Sequence, residues 1–573
     1  MSVYLAFSIG PVQTFIAEAR RTQDLRFGSY VLAQLAREAV SAVERVMEGS
    51  VIYPIPLDPD ITEKAKRSVA VPSQLLAVFS EEKQAVEAAK YAAAAVQAEW
   101  DRVADRVRKK LETLPDFNKG AWEEQVQRFP KIYWVTYDDH DQSASYGESI
   151  RQVERALHLR KRLRDFEATH DEGLKCSVCG LRAVIGKTPF WDALSRRVNE
   201  SQIKASSNEK LCAVCTTKRF ALAYAYSPES YPSTSTMAAA PFIRALVEQF
   251  QQDPVSEVKE ALERHRQALD ELKGESNNGR FFNLSNPLPD FKKFQPNPGI
   301  PRNPALELLR WDGDTLFPET FAPNRLKNDY GIDLKDTTLG PVVSEAAQAT
   351  RALIGVVRRQ LPDVRPPTPY YALILMDGDR MGELLREAPN KGWHQSFSRA
   401  LGIYADETVP KIVEQEHAGR LVYAGGDDVL ALAPIDEALQ IAERLRQAFC
   451  EAIREALEAL EAPPLLPPDM SGGIAIAHHM SPLEVALRGV REAEKAAKGA
   501  YGRSALVVRL VKRSGVPMQM GMQWGAYQEG ASKNPRVGLF QQLQDAFRGK
   551  QLASRFAHRL FEEAPVLAGL PEA

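Results

Sequence analysis

Two short acidic segments carry the chemistry this sequence offers. In residues 421–432, two apolar runs flank Gly425-Gly426-Asp427-Asp428. Paired glycines permit the positive φ angles of a tight hairpin, so the segment predicts two antiparallel strands with adjacent carboxylates at the turn. Neighbouring carboxylates repel each other, and a bound cation relieves that cost. Upstream, Tyr371–Met376 is a continuous apolar run ending in Asp377-Gly378-Asp379, which predicts a buried strand with acids at its end. If strand end and hairpin share one sheet, three or four carboxylates serve one Mg²⁺ (or Mn²⁺) site. Divalent ions that act on nucleotide phosphates need few protein carboxylates and keep positions open. Either motif alone reads more readily as a surface turn than as a metal site, and Asp312-Gly313-Asp314 is read as an ordinary turn.

The residues around these acids predict the elements that position them. Ala442–Leu457 reads as a helix, Ser471–Ala477 as a strand, Ser481–Ala500 as a helix rich in Ala, Glu and Lys, and Ala505–Val511 as a strand. Over 370–511 the order is strand, helix, hairpin, helix, strand, helix, strand. That is a ferredoxin-like βαββαβ core with a helix and strand appended, the form of a polymerase or cyclase palm. The N-terminal residues repeat the plan: a strand at Val3–Ile9, a helix to about Met47, strands at Val51–Tyr53 and Gln74–Phe79, a long helix at Glu81–Leu114 and a strand at Lys131–Tyr137. Gly28-Ser29 inside the first helix predicts a kink or the close approach of a ligand. The fold class is therefore α+β with two palms, only the second carrying the acids.

Cys176-Ser177-Val178-Cys179 and Cys212-Ala213-Val214-Cys215 are two knuckles, each able to chelate through paired thiolates. Together they complete a tetrahedral Cys₄ zinc site with no open position, hence a structural one; redox pairs are the alternative. Cys450, inside a helical pattern, reads as a core thiol. Residues 151–168 form a charged helix with Arg160, Lys161, Arg162 and Arg164. It is either a solvated face or a contact to RNA backbone or ATP phosphate. The 573 residues carry 73 Lys+Arg against 75 Asp+Glu, a net charge of −2, so nucleic-acid contact must be local or shared with partners. No apolar run reaches the length of a membrane span, and four cysteines in metal-type pairs fit a reducing cytoplasm. The predicted division is a first palm over 1–165, a zinc-binding segment over 166–225, a helical and irregular domain over 226–365, a second palm over 366–515 and a helical C-terminal domain over 516–573. Amphipathic pieces are expected at Phe540–Phe547 and Leu552–Phe561.

The second palm resembles that of nucleotidyl cyclases, with an Asp-x-Asp strand end, a Gly-Gly-acid-acid hairpin and an Ala-Lys…Gly-Arg helix end at Ala497-Lys498 and Gly502-Arg503. Asp-Gly-Asp-Arg-Met-Gly at 377–382 and Tyr-Ala-Gly-Gly-Asp-Asp-Val-Leu-Ala at 423–431 resemble more narrowly the large polymerase-like subunit of type III CRISPR RNA-guided effector complexes, the III-B (Cmr-type) branch in particular. Gly-Pro-Val-Gln-Thr-Phe-Ile at 10–16 and Asp-Leu-Arg-Phe-Gly-Ser at 24–29 extend the resemblance to the first palm. It implies target-RNA-activated synthesis of cyclic oligoadenylates from ATP, in a complex with other CRISPR subunits, guide RNA and target RNA. Asp377 and Asp427 would hold Mg²⁺ with the Gly378 carbonyl, and Asp428 would assist the attacking 3′-hydroxyl. Asp379, Gly425, Gly426, Lys498 and Arg503 would serve the nucleotide, and Gly28 and Ser29 a second ATP. Because the first strand begins at Val3, no HD nuclease domain is expected, and His140-Asp141, His170-Asp171 and His478-His479 are read as structural. The competing readings are a stand-alone diguanylate cyclase and a non-catalytic nucleotide-binding scaffold.

Overall fold

The computed structural model describes residues 2–55, 72–139, 145–163, 172–197, 209–226, 231–275, 288–294, 303–330, 334, 339–458, 468–512, 515–525, 535–549, 551–552 and 555. Two sheets organise them on one plan. The first is built by β1 (Ser2–Gly10), β2 (Val51–Tyr53), β3 (Gln74–Phe79) and β4 (Lys131–Asp139), in the order β2-β3-β1-β4 with antiparallel neighbours. Helices α1 (Gln13–Ala17) and α2 (Thr22–Val46) join β1 to β2; α3 (Glu82–Leu111) and α4 (Lys119–Gln127) join β3 to β4. This is the predicted βαββαβ order. Ala85, Ala88, Ala89, Ala92, Val96 and Trp100 form a buried stripe at helical spacing on α3. Their mostly small side chains let α3 lie close against α2.

The second sheet runs β10-β9-β8-β5-β7-β6, from β5 (Tyr370–Gly378), β6 (Arg420–Ala424), β7 (Asp428–Pro434), β8 (Met470–His478), β9 (Ala505–Val511) and β10 (Met518–Gln523). Its β8-β5-β7-β6 portion repeats the first sheet's arrangement, all antiparallel, and β9 joins β8 in parallel. β5 is central, which is why Tyr371–Met376 is buried without alternation. After the first palm come α5 (Tyr146–Arg162), then α6 (Ala213–Tyr224), α7 (Thr234–Gln252), α8 (Ser256–Glu275) and α9 (Leu339–Gln360). The second palm is covered by α10 (Lys391–Ile403), α11 (Ala438–Glu458) and α12 (Leu483–Lys498), and α13 (Pro535–Arg548) follows its last strand.

Four expectations need correction. The first helix is interrupted at Glu18–Arg21, whereas Gly28 and Ser29 lie inside continuous α2. Gly28 is there for packing: a Cβ on it would stand 2.9 Å from Cδ of Lys218. The residues after 515 do not begin a helical tail, because Met518–Gln523 pairs antiparallel with β9 and lengthens the palm sheet. Asp312-Gly313-Asp314 is no ordinary surface turn. Asp312 caps a 3₁₀ turn and accepts from Ser233 at 2.6 Å, and buried Asp314 pairs with Arg325 at 2.8 Å and bonds Tyr330. A Cβ on Gly313 would meet Thr236 Cα at 2.5 Å, so the turn is wedged against α7. His140-Asp141, His170-Asp171, Arg164 and most of Leu552–Phe561 lie outside the described residues.

Candidate active site

The β5–β7 register sets Asp377 directly opposite Asp428, with Ser471 of β8 opposite Asp377 on the other side. Two backbone bonds lock the turn to the strand end: Gly378 N to Asp427 O at 3.1 Å, and Gly425 N to Asp428 O at 2.8 Å. Gly426 takes φ +99°, which a side chain resists. Gly425 is required by crowding, since a Cβ there would lie 2.2 Å from Asp428 Oδ1. The half-buried carboxyls disfavour charge. Burial, then the charge of Asp377, pushes Asp427 up to about 6; burial, then Asp427 and Asp377, pushes Asp428 up to about 7. Clustered hard oxygens that resist carrying their charges together suit a divalent cation.

Lys498, at the end of α12, reaches this set. Its Nζ lies 2.5 Å from Asp377 Oδ1 and 3.0 Å from Glu494 Oε1. Burial works against its charge, but the bond and charge of Asp377 outweigh that and hold its pKa above the usual lysine value. Asp379 is placed differently. Both its oxygens accept from Ser471 Oγ at 2.8 Å, and Oδ2 accepts from Ser504 N at 2.8 Å. Arg503 Nη1 is 3.4 Å from Asp379 Oδ1. Asp379 and Arg503 thus tie β5 to the turn after α12, where Gly502, Arg503 and Ser504 all have positive φ. Beneath them Asp469 takes a bidentate bond from Arg446 at 2.6 and 2.8 Å and a further bond from Ser504 Oγ.

A cavity of about 880 Å³ opens between the palms and reaches Gly425, Asp427 and Asp428. Ser29 lines it from the first palm, as do Tyr53 and Tyr133; Tyr423 lines it from the second. Gly28, Asp377, Asp379, Lys498 and Arg503 are not among the residues that line it. Tyr53 stands close to the turn: its hydroxyl would be 3.7 Å from a Cβ on Gly426. Burial, then the charges of Asp427 and Asp428, holds its pKa well above the usual tyrosine value. Sequence reasoning missed Tyr53, which sits in a three-residue strand without a motif, and Asp469, which no pattern marks.

The cysteine knuckles do meet. The four Sγ atoms lie within 4.8 Å of one another, with Cys179 and Cys212 3.8 Å apart. Sulfurs at about 2.3 Å around a tetrahedral zinc stand about 3.8 Å apart. Among the described residues this is the one group of three or more such ligands gathered that tightly, so Asp377, Asp427 and Asp428 are spread more widely. Cys450 is buried in α11, as expected of a core thiol, and no described helix is long and apolar enough to cross a membrane.

Residues 370–507 match the family model for the second palm domain of Cas10/Cmr2, and residues 4–105 match that for the N-terminal part of the CRISPR-associated protein Cmr2. The chain is 29% identical over 234 residues to the Cmr2 subunit of the Pyrococcus furiosus Cmr system, covering 36% of this chain and 24% of that one. It is 37% identical over 83 residues to the Saccharolobus solfataricus Cmr2 subunit, covering 14% and 7%. The alignments thus span a quarter or less of these relatives' lengths. Among solved structures, the apo type III-B Cmr-beta assembly holds a chain of the same fold, with TM-score 0.64, 14% identity, and coverage of 100% of this chain and 76% of that one. The form bound to cognate target RNA gives 0.63, 13%, 100% and 77%.

Proposed function

We propose, for this member of the Cmr2 family of type III-B CRISPR large subunits, that its nucleotidyltransferase-like second palm joins ATP molecules into 3′–5′ linked cyclic oligoadenylates. The observation that carries the reading is the register of Asp377 against Asp428, with Lys498 on Asp377. Asp377 and Asp427 would hold Mg²⁺ (or Mn²⁺), with the Gly378 carbonyl beside them. When bound, such a cation lowers the pKa of a coordinated hydroxyl and offsets charge on the leaving pyrophosphate. Asp428 accepts the proton of a 3′-hydroxyl whose oxygen attacks the α-phosphorus. The new O–P bond replaces the bridge to the β-phosphate, and pyrophosphate departs.

The remaining roles follow from position. Lys498 exchanges Asp377 for the triphosphate, and Gly425 and Gly426 keep the turn clear for it. Arg503 acts through Asp379, holding the turn beyond Lys498, so both serve the nucleotide by positioning. Ser29 lines the cavity where a second ATP would lie, and Gly28 behind it packs on Lys218. Zinc at Cys176, Cys179, Cys212 and Cys215 is structural. The activating signal is target RNA paired with guide RNA in a complex with other CRISPR subunits in the cytoplasm. A net charge of −2 accords with sharing the RNA contacts.

The test is the reconstituted complex with labelled ATP, Mg²⁺ and cognate or non-cognate RNA, read by product mass. Asp427→Ala with Asp428→Ala should lower product at least about a thousandfold, since the charge stabilisation lost amounts to several kcal/mol. Assembly should be intact. Product from the double variant would sink the site, and product from GTP without RNA would restore the stand-alone cyclase.

A further inference from the structure

The cavity that reaches Asp427 and Asp428 also carries four cationic side chains: Arg128, Lys131, Lys161 and Arg182. Arg182 differs from the rest in where it is held. It follows the first cysteine knuckle, and its Nη1 lies 3.9 Å from Cys179 Sγ. Four thiolates around one divalent zinc carry a net charge of about −2, so a guanidinium beside them is favoured. Arg182 thus lines the cavity and at the same time bonds the cysteine cluster.

The cluster shapes the same cavity by a second route. Cys212 caps α6, its Sγ accepting from Cys215 N at 3.4 Å. Further along α6, Lys218 Nζ donates to Phe15 O at 2.6 Å and to Glu18 O, gripping the end of α1. Its neighbour Arg219 makes a buried pair with Asp24 of α2 at 2.9 and 2.7 Å and bonds Glu209 at 2.7 Å. Gln13, Thr14 and Ile16 of the α1 region line the cavity too. The cysteines thus fix both a cation and a wall of the chamber.

We propose that Arg182 is a phosphate contact of the inter-palm cavity, placed by the cysteine cluster, so that metal at the four cysteines governs affinity for a nucleoside polyphosphate. A planar guanidinium suits phosphate oxygens, which it can bond in pairs. The inference rests on the reading of the cavity as a nucleotide site but assigns it a residue and a control outside the acidic motifs of the second palm.

The experiment measures ATP binding to the full chain at equilibrium, with metal content and melting temperature recorded for each sample. Arg182→Ala should raise the dissociation constant for ATP about tenfold, the weight of one charge-assisted bond. Its metal content should equal that of the wild type, and Arg182→Lys should recover part of the loss. Stripping the metal with a chelator should weaken wild-type binding and have a smaller effect on Arg182→Ala, because the arginine it positions is already gone. Unchanged affinity in Arg182→Ala, or fully additive losses on substitution and stripping, would overturn the proposal. If stripping unfolds the chain, Arg182→Ala and Arg182→Lys decide the contact alone. Failure there with wild-type ATP binding retained leaves the nucleotidyl-transfer reading standing. A wild-type chain that binds no ATP overturns the proposal, and the reconstituted complex with cognate RNA then decides the nucleotidyl-transfer reading.

Discussion

A methyl group on Gly425 would stand 2.2 Å from Oδ1 of Asp428. The Cβ is fixed by the backbone while the atom it meets belongs to the Asp428 side chain, so Gly425→Ala must turn the Asp428 carboxylate off its place opposite Asp377. Gly425, Asp427 and Asp428 are only partly buried, so the chain should still fold. Displacing a reacting group by about 1 Å costs on the order of a hundredfold in turnover. We expect Gly425→Ala to lose about that much of the proposed oligoadenylate synthesis while its melting temperature stays near the wild-type value. A variant that melts far earlier, or that turns over normally, would show that Asp428 is not positioned by this glycine. Gly426 answers to a different constraint, its φ of +99°, and alanine there should cost folding stability as well.

At the level of elements, the acids at the end of β5 divide their labour. Asp377 faces Asp428, whereas Asp379 receives Ser471, Ser504 and Arg503 and holds a turn of three left-handed residues. Asp379→Asn removes the charge while keeping the size. It should destabilise the chain by about 1–3 kcal/mol, the cost of weakening bonds to a buried charged acceptor, as read from denaturant unfolding. The Mg²⁺ concentration giving half-maximal activity should not move; if it does, Asp379 is a metal ligand. Sequence made much of this arrangement legible. A strand buried on both faces has an unbroken apolar run, so Tyr371–Met376 declared itself, and Cys-x-x-Cys pairs carry their own spacing. β10 escaped because Met-Gln-Met-Gly-Met-Gln has no β-branched residue and lies at a sheet edge where none of its residues is fully buried. Asp469 escaped because its partners Arg446 and Ser504 lie 23 and 35 residues away, beyond any local pattern. The break at Glu18–Arg21 is fixed by Lys218 and Arg219 reaching in from α6, a tertiary cause that no helical period reveals.

Across the whole molecule the two palms are joined by polar contacts at their edges as well as by the cavity. Gln395 Nε2 donates to Val51 O at 2.7 Å, Ile55 N to Ser398 Oγ at 3.1 Å, and Lys391 Nζ to Gly49 O at 2.7 Å, so β2 rides on α10 and carries Tyr53 toward the acidic turn. Beside them, Tyr146 at the start of α5 bonds His394 Nδ1 of α10 at 3.0 Å. Burial pushes the His394 pKa down to about 4, against an ordinary value of 6.5. The folded chain therefore holds this imidazole neutral while the unfolded chain protonates it. Between pH 6.5 and 4 the unfolded state binds the extra proton, so stability falls as the pH falls through that window and the contribution is complete above 6.5. The slope from one such group is at most about 1.4 kcal/mol per pH unit. Measured by denaturant unfolding from pH 7 to pH 5, His394→Gln should show a shallower loss of stability than the wild type, by up to that slope. Tyr146→Phe, which leaves the imidazole buried, should keep the wild-type slope from a lower starting stability. Equal slopes for His394→Gln and the wild type would mean that this imidazole is not what makes the join between the palms sensitive to acid.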